Sequence, residues 1–297
     1  MNAMPATGSV ETLAPGLVRA VAPNPSPMTA SGTATYVLGR GAGRTVIDPG
    51  PDDAGHRARV LTACGGARVE AILVTHPHLD HSAGAPALAA ATGAPVLAFG
   101  PPESGRSRAM RALADPGGGE GVDRGFRPDR ALGDGEAVRG DGWAVEAVWT
   151  PGHMGSHLAF HWREGDAAFT GDVLMGWAST LISPPDGDVT QFLGSLDRIE
   201  RLDVARLLPG HGPPIDDPAA RCAEMRAHRL GREAAILTAT GDGATVADLV
   251  AAVYADTPPA LHGMAARNVL AHLVRLVDLG RVEASAVSMR GVFRRVR

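Results

Sequence analysis

Three histidines and an aspartate stand within six consecutive positions, directly after a short apolar run. The run is residues 71–74 and reads as a buried strand, and the polar residues are His76, His78, Asp80 and His81. Imidazole nitrogens and carboxylate oxygens are ligands that a borderline cation such as zinc prefers. His76 and His78 project to the same side of an extended segment, because side chains alternate there. We expect these side chains to bind metal, and two pairs of ligands suit two ions better than one.

Three later segments each deliver one more side chain of this kind. An apolar strand followed by a Gly or Pro turn leads to His153, to Asp172 and to His211. In layered α/β folds, ligands collect where strands end. The same arrangement repeated three times predicts that these residues belong to one site.

The remaining pattern predicts the elements that hold these side chains. Strands are predicted at residues 17–21, 33–38, 44–47, 71–74, 95–99, 136–138 and 143–149, with a strand pair in 281–296. Helices are predicted at 54–64, 83–92, 189–202, 219–240, 245–254 and 264–279. Strands that alternate with helices indicate an α/β fold. Residues 100–128 are rich in glycine, proline and charge and predict a surface loop with one short helix near 106–114, either a lid over the site or an insertion without a role.

Composition excludes several classes of protein. With 297 residues, 44% of them hydrophobic, the chain can form one large domain or a large and a small one. No apolar run approaches membrane-spanning length, and the first thirty residues contain prolines instead of a basic region followed by an apolar core. We therefore expect a cytoplasmic protein. Cys64 and Cys222 are too few and too far apart for a disulfide framework.

Charge is distributed unevenly along the chain. Residues 221–297 hold 11 arginines against 7 acidic residues, a net charge of +4, whereas residues 1–220 hold 17 against 25, a net charge of −8. A basic C-terminal part is compatible with nucleic-acid contact and equally with a solvated face.

The set His76-x-His78-x-Asp80-His81, His153, Asp172 and His211 resembles the ligand set of the metallo-β-lactamase superfamily in its dinuclear hydrolase form. The resemblance covers about residues 10 to 215. It implies an αββα sandwich with the metals at one edge. It also implies that His76, His78 and His153 hold one metal, that Asp80, His81 and His211 hold the second, and that Asp172 bridges them. The ions would be two zinc ions, with iron or manganese as alternatives.

Residues 173–188, the predicted helices from 189 to 279 and the strand pair in 281–296 together resemble the β-lactamase-like protein 2 family, whose members append a winged-helix-like module to the hydrolase domain. This implies a catalytic domain over residues 1–220 and a small winged-helix-like domain over residues 221–297. Antibiotic hydrolysis is not expected, because true β-lactamases lack the ligand at the position of Asp80.

Taken together, these features predict a dinuclear zinc-dependent metallohydrolase in which a metal-bridging hydroxide attacks an ester-type bond. Asp172 would act as the bridge and Asp80 would orient the hydroxide or relay its proton, so both are the predicted catalytic residues. The subfamily resemblance implies a phosphodiester of single-stranded RNA as substrate. The alternatives are a thioester or lactone hydrolase similar to glyoxalase II, a mononuclear iron persulfide dioxygenase, and a nucleic-acid-binding regulator with a vestigial site. An oligomer is compatible with the sequence, and no membrane partner is expected.

Several further residues have an open assignment at this stage. Asp48 follows a strand and either forms a turn or steadies a metal ligand. His157 is either a structural histidine or a group near the substrate, and His56 is assigned to surface or packing. Trp177, Ser179 and Thr180 follow Asp172 closely and are candidates to line a substrate pocket.

Overall fold

Two β-sheets packed face to face form the larger part of the computed structural model, which describes residues 3–113 and 117–297. Within these residues the first sheet has seven strands, in the spatial order β1 to β7: Val10–Ala14, Leu17–Val21, Ala34–Leu38, Gly43–Ile47, Arg68–Leu73, Val96–Ala98 and Arg130–Ala131. The second sheet, again within these residues, has five strands, β8 to β12: Ala137–Gly140, Trp143–Trp149, Leu158–Trp162, Ala167–Gly171 and Arg206–Pro209. Their spatial order is β12-β11-β10-β9-β8.

Strand direction brings the polar segments to one edge of the sandwich. In the first sheet β1 to β4 are antiparallel, whereas β4, β5, β6 and β7 run parallel. In the second sheet β9 and β11 both run antiparallel to β10, and β12 runs parallel to β11. The carboxyl ends of β9, β11 and β12 therefore share an edge, and the side chains that follow them meet those that follow β5.

Helices cover both outer faces of the sandwich. In chain order, α1 to α8 are Ala54–Ala63, Leu79–Ser82, Ala85–Thr92, Arg108–Ala112, Val189–Glu200, Pro218–Thr240, Val246–Val253 and His262–Asp278. The helices α1 and α3 pack on the first sheet through side chains such as Val60 and Leu88. The helices α5 and α6 pack on the second sheet through Phe192 and Met225.

The central core lies between the two sheets. Tyr36 and Ile47 of the first sheet are buried against Phe160 and Phe169 of the second, and the Tyr36 and Phe169 rings lie 5.0 Å apart. Burying a side chain of this size contributes about 1.5–3 kcal/mol. Helix, sheet, sheet and helix follow one another through the molecule, which confirms the predicted αββα sandwich.

A small C-terminal module packs against one side of the sandwich. It consists of α7, α8, the end of α6 and a third sheet in the order β13-β15-β14, with β13 at Ala244–Thr245, β14 at Val282–Ala284 and β15 at Val292–Arg295. A capping box between Thr245 and Asp248 starts α7. The predicted domain boundary at residue 220 falls in the first turn of α6, a helix that packs on the sandwich through Cys222 and in the module's core through Ile236.

Most predicted elements lie within two residues of the observed ones. The sequence did not predict β1, whose first three residues are exposed and lack an alternating apolar pattern. The predicted loop at 100–128 includes residues 114–116, which lie outside the described residues; of the remainder, Arg108–Ala112 is helical. Across 3–113 and 117–297, none of the helices is both long enough and apolar enough to cross a membrane.

Candidate metal centre

Two groups of side chains meet at the edge of the sandwich. The first cluster is His76, His78, His153 and Asp172, and the second cluster is Asp80, His81 and His211. Within each cluster, every residue offers one nitrogen or oxygen atom that lies within 4.8 Å of those of the other members. The structure thus brings together all seven residues that the sequence predicts as metal ligands.

The nitrogen atoms of the histidines point at one another. His78 Nδ1 lies 2.9 Å from His76 Nε2 and 3.0 Å from His153 Nε2, and His81 Nε2 lies 3.2 Å from His211 Nε2. A neutral imidazole has one nitrogen that donates and one that accepts, so three nitrogens facing each other cannot all be satisfied among themselves. A divalent cation accepts several such lone pairs at once, and the cluster therefore fits a metal ion.

Asp172 of the first cluster also faces the histidines of the second cluster. Its Oδ2 is 3.3 Å from His211 Nε2 and 3.8 Å from His153 Nε2, while its Oδ1 is 3.5 Å from His81 Nε2. Oδ1 is buried and makes no hydrogen bond to the described residues. A buried carboxylate oxygen without a donor is costly. A cation on each side of Asp172 would relieve that cost.

Glycine precedes both Asp172 and His211 because no side chain fits there. A Cβ on Gly171 would lie 2.7 Å from His157 Nε2 and from Thr75 Oγ1. A Cβ on Gly210 would lie 2.7 Å from Asp172 Oδ1 and 2.6 Å from His81 Cε1, inside the clusters themselves. The Gly turns read from the sequence therefore serve close approach to the site.

Asp80 differs from the other carboxylate in being partly exposed. Its Oδ2 accepts a hydrogen bond from Thr33 Oγ1 at 3.1 Å and lies 3.3 Å from His211 Nε2. The Asp80 side chain keeps 28% of its surface exposed, toward the cavity in front of the site. This carboxylate can contact both a cation and a bound substrate.

Asp48 both forms a turn and steadies a residue of the second cluster. Its backbone φ is 51°, a left-handed conformation that aspartate tolerates better than most residues. Its Oδ2 accepts hydrogen bonds from Thr75 Oγ1 and from His81 Nδ1 at 2.9 Å, and its Oδ1 accepts from the Thr75 backbone N–H. The bond to Nδ1 leaves His81 Nε2 directed at the cluster.

Two other contacts orient the first cluster. His153 Nδ1 donates to the Leu181 carbonyl oxygen at 2.8 Å, which directs its Nε2 to the other ligand atoms. His157 is fully buried behind the cluster; its Nε2 accepts from the Asp172 backbone N–H and its Nδ1 contacts Thr150 Oγ1. His157 is thus a structural histidine that supports Asp172 and does not face the cavity.

The charge state differs between the clusters. Burial lowers the pKa of His78 to about 3 and that of His76 well below its usual range, so these imidazoles are neutral. Burial opposes protonation of His211 as well, but the Asp172 carboxylate outweighs it and raises the His211 pKa to about 9. The pKa of His81 is likewise raised against burial by Asp80 and Asp172. The carboxylates of Asp80 and Asp172 thus favour a positive charge at the second cluster, and a bound cation would supply it.

A cavity of about 540 Å³ opens directly in front of the clusters. His78, Asp80, His153, Asp172 and His211 line its floor. Its walls come from four regions and are mostly apolar or small: Pro27, Met28, Thr29, Gly119, Glu120, Gly121, Val122, Met175, Trp177, Ala178, Ser179, Leu181, Ser183, Asp186, Ala260, Gly263, Met264 and Arg267. This volume is in the range of small-molecule sites.

The sequence predicted the floor of this cavity better than its walls. Trp177 and Ser179 line the cavity, as anticipated, whereas Thr180 is buried behind the wall. His56 is buried, in accordance with a packing role. The wall from the C-terminal module, Ala260 to Arg267, was not anticipated, although its spacing of three and four residues marks one face of a helix.

Comparison with known proteins agrees with this geometry. The model of the metallo-beta-lactamase superfamily matches residues 28–211, and that of the beta-lactamase associated winged helix domain matches residues 245–287. A "Beta-lactamase-like protein 2 homolog" of Caenorhabditis elegans is 30% identical over 92% of this chain and 88% of its own length. An "Atrochrysone carboxyl ACP thioesterase" of Aspergillus fumigatus is 31% identical over 86% of this chain and 79% of its own length.

A solved structure extends the likeness to the whole fold. A metallo-beta-lactamase family protein of Thermus thermophilus is 26% identical, with a TM-score of 0.77 over 96% of this chain and all of its own. Both the sandwich and the C-terminal module are therefore shared features. The chain is a hydrolase of the metallo-β-lactamase superfamily and carries a β-lactamase-associated winged helix domain at its C-terminal end.

Proposed function

We propose that the chain is a dinuclear metal-dependent hydrolase that cleaves the thioester, or a related ester, of a small molecule with an apolar acyl group. The observation that carries the proposal is the convergence of both clusters on the floor of a half-enclosed, mainly apolar cavity. Members of the superfamily bind divalent metals. Five imidazoles and two carboxylates suit zinc, which we propose as the metal, and also iron and manganese.

The first cluster would hold one ion and the second cluster the other, with Asp172 shared between them. Two such ions lower the pKa of a water molecule and polarise the carbonyl oxygen of the substrate. The protein contributes the geometry: Asp48 and Leu181 fix the imidazoles of His81 and His153 through their far nitrogens. Rigid ligands keep the charge in place at the moment of reaction.

Asp80 would position the attacking water and hold its proton. Its carboxylate reaches the cavity, and Thr33 Oγ1 keeps Oδ2 directed toward His211. The proton would pass from Asp80 to the departing thiolate as the carbon–sulfur bond breaks. The two aspartates therefore have different roles, because Asp172 is buried and faces both clusters whereas Asp80 is partly exposed.

The cavity favours an apolar acyl group over an RNA strand. Met28, Val122, Met175 and Met264 supply flexible apolar surface that suits an acyl chain. Proteins that bind single-stranded RNA without sequence preference use a basic groove and several aromatic side chains on which bases stack. Among the described residues of the cavity wall, Arg267 is the only arginine and Trp177 the only aromatic residue other than histidine. RNA cleavage stays a prediction from the sequence. The thioesterase name of the Aspergillus fumigatus relative supports the thioester assignment.

The helix α8 is not free to read a nucleic-acid groove. Winged-helix and related proteins place an exposed helix in the major groove of DNA. Here Val269 and Leu273 of α8 lie in the core of the module, and Ala271 on another face packs into the cluster that contains α5 and α6. We infer that the module serves the active site of its own chain.

The test is hydrolysis of acyl thioesters of N-acetylcysteamine by the zinc-loaded chain. Hydrolysis is measured as the release of free thiol. The same preparation is incubated with labelled single-stranded RNA. We expect thioester hydrolysis that falls at least about 100-fold in Asp172→Ala, because loss of a shared ligand exceeds the 10–100-fold typical of a second-sphere change. Asp242→Ala, which alters a carboxylate 92% exposed, is the matched control and should behave as wild type. RNA cleavage without thioester cleavage would overturn the substrate class, and an unaltered Asp172→Ala would overturn the site.

A further inference from the structure

Arg229 of α6 is a buried cation without a buried anion. It is 2% exposed, and none of the carboxylates in the described part of the chain lies within 4.0 Å of its nitrogens. It is the one charged residue on the buried face of α6, which otherwise carries Cys222, Met225, Ile236, Leu237 and Thr240. Burying a charge costs several kcal/mol unless it is well solvated by protein groups. The position calls for a role that an apolar residue cannot fill.

In place of an anion, two carbonyl oxygens and one aromatic ring contact the guanidinium. Nη2 donates to the Thr180 carbonyl oxygen, and Nη1 donates to Asn268 Oδ1 at 3.1 Å. The Phe192 ring of α5 lies 5.3 Å from the guanidinium carbon. Burial lowers the pKa of Arg229 to about 10, so the side chain still carries its charge at neutral pH.

Asn268 of α8 binds the same stretch of chain from the other side. Its Oδ1 accepts a hydrogen bond from the Ile182 backbone N–H at 3.4 Å, besides the one from Arg229. Its Nδ2 donates to the Met264 carbonyl oxygen at 3.5 Å. Two helices that also form the C-terminal module thus hold the backbone of residues 180–182 through one shared polar network.

This backbone segment in turn contacts two members of the first cluster. The Leu181 carbonyl oxygen accepts from His153 Nδ1 at 2.8 Å. Thr180 Oγ1 donates to the Asp172 carbonyl oxygen at 2.8 Å and lies 3.1 Å from that of Val173. A shift of residues 180–182 would therefore rotate the His153 imidazole and release the turn that carries Asp172.

We infer that Arg229 and Asn268 are positioning residues through which the C-terminal module holds residues 180–182 and, with them, His153 and Asp172 in the arrangement that binds a divalent cation. The inference rests on the metal centre of the proposed function but not on its substrate. It assigns the module a part in assembling the site, in addition to its part in the cavity wall.

Arg229→Met is the direct test, because methionine keeps an apolar volume on the buried face of α6 and removes the donors. Arg232→Met is the matched control: Arg232 lies nearly one turn further along α6, donates to the Val253 carbonyl oxygen and stacks on Tyr254, all within the module. Each metal-free, full-length variant is titrated with Co²⁺ in competition with a chromophoric chelator, and the cobalt absorption band is recorded. Circular dichroism and thermal unfolding of the metal-free chains report folding.

For Arg229→Met we expect the dissociation constant of one of the two ions to rise about 10–100-fold, with an altered cobalt band, as for other outer contacts of ligands. For Arg232→Met we expect wild-type affinity and spectrum. Wild-type metal affinity in Arg229→Met would overturn the inference. An equal loss of metal affinity in both variants would also overturn it, because that result indicates general loosening of the module.

Asn268→Ala keeps the inference testable where Arg229→Met does not fold. It removes the acceptor for the Ile182 N–H and should weaken the binding of the same ion. Unchanged metal affinity in a folded Asn268→Ala would contradict the inference. Because the readout is metal affinity, an absence of thioester hydrolysis in the wild type would refute the proposed substrate alone.

Discussion

Asp48 does not line the cavity, but it holds two residues of the metal centre and its surroundings in place. Its two carboxylate oxygens accept hydrogen bonds from His81 Nδ1 and from the backbone and hydroxyl of Thr75, directly before His76. A ligand histidine whose far nitrogen binds a carboxylate is held in one tautomer and one orientation. Asp48 therefore holds His81 of the second cluster directly and reaches the first cluster through Thr75, whose Oγ1 lies 3.0 Å from His76 Nδ1.

Asp48→Asn should weaken metal binding without disrupting the fold. The amide keeps the volume but cannot accept hydrogen bonds at both positions, so the His81 ring loses its fixed tautomer. We expect zinc affinity to fall about 10–100-fold, measured by chelator competition. Asp53→Asn is the control, because Asp53 caps α1 and asparagine caps a helix equally well. Equal affinity in the two variants would contradict the role of Asp48.

His56 should make the fold sensitive to acid. Burial, together with the charge of Arg59, lowers its pKa to about 4; its Nε2 contacts Thr35 Oγ1, and its Nδ1 has no partner among the described residues. A folded pKa below the usual value of 6.5 means that the contribution to stability is complete above that pH and is lost as the pH falls toward 4.

Urea unfolding of the wild type and of His56→Gln at pH 7 and pH 5 tests this. The wild type should lose about 2 kcal/mol more than the variant between these pH values, since a shift of one pKa unit corresponds to about 1.4 kcal/mol. Equal losses would show that the buried imidazole does not set the acid limit.

The first turns of α8 form a wall of the cavity. Gly263, Met264 and Arg267 of α8 border the cavity together with Ala260 of the preceding 3-10 turn, and a Cβ on Gly263 would meet no atom within 4 Å. The free space beside Gly263 is therefore available to the substrate. The identity of this residue should set the length of the acyl group that the site accepts.

Gly263→Leu should shorten the accepted acyl chain. The added side chain grows into the cavity, while loss of helical glycine favours folding by about 0.5–1 kcal/mol. We expect kcat/KM for a long acyl thioester to fall at least about 10-fold, with a short acyl thioester nearly unaffected, since each methylene is worth about 1–3 kcal/mol in such a pocket. Gly231→Leu, on α6 with equally open surroundings, is the control. A parallel loss for all chain lengths would argue against a wall at this position.

Local signals account for the elements that the sequence predicted well. The first five residues of the strand Trp143–Trp149 alternate between buried and half-buried, and α7 begins with its capping box. The strand β1 and the wall from α8 escaped prediction for different reasons. The strand β1 is an exposed edge strand. The wall from α8 borders the cavity only because the module packs beside the site, and no local sequence pattern encodes that packing.

The first turns of α6 and the sandwich carry complementary charges. Arg226 of α6 binds Asp197 and Glu200 of α5, and Arg221 donates to the Met175 and Ala178 carbonyl oxygens in the loop after Asp172. Part of the arginine excess of the C-terminal segment is thus used inside the molecule, against an acidic sandwich. The charge asymmetry read from the sequence thus serves, at least in part, the packing of the first turns of α6 on the sandwich.

All seven predicted ligand residues meet in the structure because each follows a strand whose end reaches the same edge. Ligand type and Gly turns are visible in a single sequence. The contacts that orient the ligands, such as Asp48 to Thr75 and Leu181 to His153, join residues 27 and 28 positions apart and depend on the folded chain. Arg229 reads in the sequence as one of many surface arginines, and its burial could be inferred only from its place on the largely apolar face of α6.

The number of metal ions per chain tests the central claim most directly. Metal-free protein would be reconstituted with excess zinc, freed of unbound metal and measured by elemental analysis against protein concentration. We predict close to two ions per chain, one for each cluster with Asp172 shared. One ion per chain would contradict a dinuclear hydrolase and favour mononuclear chemistry, and no retained ion would contradict a metal centre at this edge of the sandwich.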